Sequence, residues 1–190
     1  MKPKLLFIIL ILISSQAFAG SVTDDILNTA VKAITRKEIR MLYNKALACN
    51  PLEYDAKSNI NVTDWIKLTP ELPDWKMLKE IPATANAAKD YAQKKSGTDK
   101  VLHCFAGCFI AKKLDYTSAV LTGWLKELND AGDCSASTHF EKFDYDATTA
   151  GAIIGNLPNR TCESFCQRDD VKNLDGDDML EFAKRELSDI

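Results

Sequence analysis

Six cysteines, at positions 49, 104, 108, 134, 162 and 166, constrain this 190-residue chain more than any other feature. Cys104 and Cys108 stand four residues apart, as do Cys162 and Cys166, and on a helix that spacing puts both sulfurs of a pair on one face. Two such helices packed side by side can be joined twice. If they run antiparallel, Cys104 meets Cys166 and Cys108 meets Cys162; if parallel, the opposite cross-pairs form. Cys49 and Cys134 are then left for each other. The rival use of two C-x3-C elements is a four-thiolate zinc site, although structural zinc sites favour tighter knuckle spacings.

The compartment decides between these uses. Lys2 and Lys4 precede an apolar stretch from Leu5 to Ile13, a polar step at Ser14 to Gln16, and Ala17-Phe18-Ala19. This is the pattern of a secretory signal peptide cut after Ala19. Its apolar core is too short to span a bilayer comfortably, and no cysteine follows the cut, so the expectation is a periplasmic or secreted protein with no stable membrane span. An oxidising destination favours three disulfides. Residues 20–190 then form a single helical domain.

Removal of the leader leaves 22 basic against 27 acidic residues, a formal charge of about −5. The excess lies at the end, where residues 163–190 hold nine acids and four bases. No basic stripe that would track a phosphate backbone is present, so nucleic acid is not an expected partner. With 46% apolar and 27% charged residues the chain has the composition of a folded domain.

Helical periodicity recurs along the chain. Apolar residues from Ile26 to Leu47 predict a helix over about 24 to 48, stopped by Asn50-Pro51. Residues 51–82 carry four prolines and no clean period, which predicts an irregular connection with Trp65 and Trp75 packed on the helices. A second helix is expected from about Ala83 to Lys95. Thr98 then caps a segment, Val101 to Ala111, whose apolar positions go all the way round, the mark of a buried central helix. Thr117 to Ala131 reads as an amphipathic helix on which Glu127 borders the apolar face and Lys126 points away. Ala147, Gly151 and Gly155 repeat at spacing four in the next helix, Ala147 to Asn156, allowing close helix approach. Short helices over 161–167 and 177–187 complete an all-α, disulfide-stapled bundle.

His103 lies inside the buried helix, with Gly107 one turn on leaving room beside the imidazole. A buried imidazole needs partners for both nitrogens. The acids available are Asp99 one turn earlier, and Glu127, Asp130, Asp144 and Asp146 from later segments. One reading makes His103, Glu127 and Asp130 an acid and base set, or His103, Glu127, Asp130 and Asp144 the ligands of a divalent metal. The plainer reading is a core histidine bonded to Glu127, with Asp144 or Asp146 as an N-cap. His139 has a weaker claim, from a loop. The Asp175-Gly176-Asp177-Asp178 run fails the spacing of a calcium loop and reads as a helix start. No organic cofactor motif and no familiar hydrolase signature is present.

Asp99-Lys100-x-x-His103-x3-Gly107, Gly123-x-x-Lys126-Glu127-x-x-Asp130 and Asp144-x-x-Ala147-x3-Gly151 follow one another in order. This order resembles that of uncharacterised small periplasmic lipoproteins and VanZ-like envelope proteins. The C-x3-C pairs are similar to cysteine-bearing modules at the ends of wall-associated and Rhs-type secreted proteins. The resemblance covers about residues 98–167 and implies a bacterial envelope setting with a shared polar cluster at His103, Lys126, Glu127, Asp130 and Asp144. The chain lacks the lipid-anchoring cysteine and membrane-spanning helices of those proteins. Two functions are therefore weighed: a binding or structural module that engages a cell-wall or other envelope component, and a metal-dependent or acid/base hydrolase acting on such a component.

Overall fold

The computed structural model describes residues 24–49, 54–55, 60–61, 68–134 and 140–188, so the leader, Trp65 and His139 lie outside the described residues. Seven helices are found among the described residues: α1 Asp24–Cys49, α2 Trp75–Ala92, α3 Asp99–Lys113, α4 Tyr116–Ala131, α5 Lys142–Asn156, α6 Cys162–Cys166 and α7 Gly176–Ser188. The fold is all-α. The described strands are two dipeptides, β1 Tyr54–Asp55 and β2 Ile60–Asn61, paired antiparallel within the connection after α1.

Helix starts follow local chemistry. The Thr98 hydroxyl accepts from the Val101 N–H at the head of α3, and the Asp115 carboxylate accepts from the Ser118 N–H at the head of α4. Thr161 and Ser164 cap α6 reciprocally, each side chain accepting from the other's backbone N–H. Asp177 and Asp178 fall in the first turn of α7, where acids favour the helix dipole, as expected for a helix start.

Two boundaries differ from the sequence reading. The irregular connection ends at Asp74, because α2 begins at Trp75 and carries Pro82 in its interior. Proline deprives the Leu78 carbonyl of its usual donor, yet burial of Leu78, Ala88 and Ala92 along one side holds the helix together. Trp75 is half-buried at its start, with the Lys79 ammonium 5.1 Å from the ring centre. Helix α5 begins five residues earlier than expected, so Asp144 falls in its first turn and Asp146 in its second, and neither is a cap. Asp144 and Thr148 consequently share a face one turn apart.

Helix α3 is the axis, packing against α2, α4, α5 and α6. Its closest partner is α5, which is buried from Asp144 through Gly155. A Cβ on Gly151 would overlap the Cys104 carbonyl oxygen, one on Gly107 would overlap that of Thr148, and one on Gly155 that of Cys108. The space expected beside His103 is therefore filled by the α5 backbone. One apolar cluster, including Phe105, Ile154, Phe165 and Met179, joins α3 and α5 to α6 and α7. Another, including Ile110, Trp124, Leu128 and Phe140, joins them to α1, α2 and α4.

All six cysteines are paired: Cys104 with Cys166, Cys108 with Cys162, and Cys49 with Cys134. The first two are the antiparallel alternative, two staples between α3 and α6 within the core; the third ties the end of α1 to the chain after α4. The two staples span 62 and 54 residues, but with one in place the other closes only a short additional loop. Replacing either pair by serine is expected to cost about 2–3 kcal/mol, and replacing both more than the sum of the single losses. Denaturant unfolding of the three variants measures this, and strict additivity would contradict it.

Candidate polar site

Three helices deliver charge to one place. Helix α3 brings Asp99, Lys100 and His103, α4 brings Lys126, Glu127 and Asp130, and α5 brings Asp144 and Thr148, with Glu141 just ahead of it. Asp144 is the hub. One carboxylate oxygen accepts from Lys100 Nζ, which also donates to Glu141 at 3.1 Å. The other oxygen lies 3.3 Å from His103 Nε2 and 3.8 Å from Lys126 Nζ.

The opposite ring nitrogen is held by Thr148. Its hydroxyl donates to the Asp144 carbonyl at 2.9 Å, one turn back along α5, so its single proton is committed. The oxygen therefore accepts from His103 Nδ1, 3.1 Å away. Gly107 and Gly123 make this possible: Thr148 packs its backbone against the first and its methyl group against the second. Gly107 and Gly123, by seating Thr148, thus orient the imidazole.

The plainer reading of the sequence paired His103 with Glu127, and the structure corrects it. Glu127 is fully buried and points to the next segment, accepting from the Glu141 N–H at 3.1 Å and lying 3.0 Å from Lys126 Nζ. Lys126 does not point away, because its ammonium folds back between Glu127 and Asp130, 3.2 Å from the latter. The expected metal set of His103, Glu127, Asp130 and Asp144 is not the group that converges. Donor atoms that lie mutually close belong to Asp99, His103 and Asp144. Asp99 belongs there because it precedes His103 by one helical turn; Glu127 and Asp130 are drawn off by Lys126. Thr148 and Lys100 are the partners that a search for histidines and acids overlooks, although Asp144-x3-Thr148 at helical spacing is visible in the sequence.

Burial and charge act against each other here. Desolvation pushes the Glu127 carboxyl up to about 8, although Lys126 opposes it. Burial works against the charge of both lysines, but Asp144 and Glu141 around Lys100, and Glu127 and Asp130 around Lys126, outweigh it and hold both ammoniums above the usual range. Desolvation lowers His103 despite the nearby Asp144 carboxylate.

Compared with protein-family models, with curated proteins and with solved structures, the chain matches none.

Because Glu127 holds a proton in the fold that the unfolded chain has released, its contribution to stability falls as pH rises from 4.5 to 8. Glu127→Gln removes that titration. The variant is expected to stay within about 1 kcal/mol of the wild type at pH 5 and to exceed it by more than about 1 kcal/mol at pH 9. Chemical unfolding at both pH values checks this, and an equal difference at the two would refute it.

Proposed function

We propose that the chain is an exported binding module of the bacterial envelope, delivered by the leader at 1–19 and read through a groove between α1 and the connection before α2. The observation that carries this reading is the groove itself. Its volume is about 320 Å³, and it is lined by Arg36, Ile39, Arg40 and Tyr43 on one side and by Thr69, Pro70, Glu71 and Leu72 on the other, with Trp124 at its base. Arg36 and Arg40 stand four residues apart, both exposed. Paired guanidiniums suit carboxylate or phosphate, while the Tyr43 ring and Pro70 offer apolar faces for a sugar or peptide backbone. Acidic wall polymers carry both kinds of group.

Three disulfides accord with an oxidising compartment, and no helix among the described residues is long and apolar enough to cross a membrane. The resemblance of the Asp99 to Gly151 motif order to envelope proteins points the same way. The buried cluster serves this module by fixing α3, α4 and α5 against one another. Glu141 and Asp144 are engaged by Lys100 and Glu127 and Asp130 by Lys126, and the groove contains none of the cluster's residues. That arrangement favours binding over the hydrolase reading, in which His103, Glu127 and Asp130 would need to face a substrate.

Co-sedimentation of the mature protein with purified peptidoglycan sacculi tests the proposal. Retention by the wild type, lost in Arg36→Ala/Arg40→Ala with the melting temperature unchanged, is the expected outcome. No retention, or equal retention by the variant, would overturn it.

A further inference from the structure

We propose that Asp99, His103 and Asp144 form a site for a divalent cation of the zinc or manganese class, with the imidazole Nε2 and one oxygen from each aspartate as ligands. This inference does not depend on the groove. His103 Nε2 is 3.3 Å from Asp144 Oδ2 and 4.0 Å from Asp99 Oδ1, and the three donor atoms all lie within 4.8 Å of one another. A tetrahedral ion with bonds of about 2.1 Å separates its ligands by about 3.4 Å, so small side-chain movements close this set around an ion.

The tautomer is the second, independent observation. Since Thr148 spends its proton on the Asp144 carbonyl, Nδ1 must be the donor to its hydroxyl, and Nε2 of a neutral ring carries the lone pair. That lone pair has two carboxylate oxygens as its neighbours, an arrangement that is repulsive until a proton or a metal ion lies between them. A histidine fixed by a hydrogen bond from one nitrogen and offering the other to a cation is the usual second-shell arrangement of metal ligation.

Charge balance supports the same conclusion. With Glu127 holding its proton, Asp99, Asp130, Glu141 and Asp144 bring four carboxylates to the cluster and Lys100 and Lys126 two ammoniums, an excess of acids that a divalent ion reduces. Lys100 takes the other oxygen of Asp144, while Lys126, half-exposed and 3.8 Å from the ligand oxygen, is closer to Glu127 and Asp130 at 3.0 and 3.2 Å. The His103 side chain is 15% exposed and that of Asp99 66%, so an ion reaches the site from solvent and keeps water on its open positions. Nitrogen and oxygen donors together suit zinc or manganese better than calcium, which prefers oxygen alone.

The test is calorimetric titration of the chelator-treated, disulfide-intact mature protein with zinc chloride and with manganese chloride. All six cysteines are in disulfides, so thiolates do not compete. Saturable binding of one ion per chain is expected for at least one metal. Asp99→Asn, at an exposed position that does not threaten the fold, should weaken it about tenfold or more, as should His103→Gln, and Thr148→Val about 10 to 100-fold. Glu127→Gln and His139→Gln should leave it within about threefold, well below the effect of losing a ligand. Absence of saturable binding for both metals overturns the proposal and leaves a proton between Nε2 and the aspartates. Binding that survives Asp99→Asn and His103→Gln, or that is lost in Glu127→Gln or His139→Gln, overturns it as well.

Discussion

The backbones of α3 and α5 touch, and the rest of the architecture depends on that contact. Helices with ordinary side chains sit 8–10 Å apart. Here Gly107 meets the Thr148 carbonyl, Gly151 that of Cys104 and Gly155 that of Cys108, so no side chain separates the two chains of atoms. The close approach buries a full face of α5 and sets its rotation. With that rotation fixed, Asp144 and Thr148 have one direction to point, toward His103.

The disulfides reinforce this geometry from the other side. Cys104 and Cys108 lie on α3 beside the glycine contact, and their bonds to α6 hold that short helix against the same pair of long ones. A five-residue helix gains little from its own hydrogen bonds, so its place is owed to covalent clamps and to Phe165, fully enclosed beside Phe105 and Met179. Within the resulting frame, opposite charges from three helices are forced together. A half-satisfied polar cluster is worse than an apolar one; here Lys100 bridges Glu141 and Asp144 and Lys126 bridges Glu127 and Asp130, while His103 Nε2 faces the oxygens of Asp99 and Asp144.

Much of this was legible in the sequence. The all-α class follows from periodicity, the antiparallel staples were one of two alternatives set by the C-x3-C spacing, and the small residues of α5 announced a close approach. The errors have physical causes. Pro82 reads as a helix break from local propensity, but the burial of Leu78 and Ala88 on either side of it overrides that preference. Asp144 reads as a cap because acids favour helix ends, whereas α5 had already begun at Lys142. Glu127 and His103 are both buried and of complementary chemistry, so one-dimensional reasoning pairs them. Which acid reaches the imidazole is decided by the rotation of α5, a tertiary quantity that spacing within one helix does not contain.

The most direct measurement is the His103 ring resonance, by nitrogen-edited NMR, in Gly107→Ala alongside its thermal unfolding. If the glycine contact places Thr148 and Asp144 on the imidazole, the added methyl must push α5 away: stability falls by about 1–3 kcal/mol and the Nδ1 resonance shifts as its hydrogen bond to Thr148 is lost. A variant that melts like the wild type, with the ring resonances unmoved, would contradict the account.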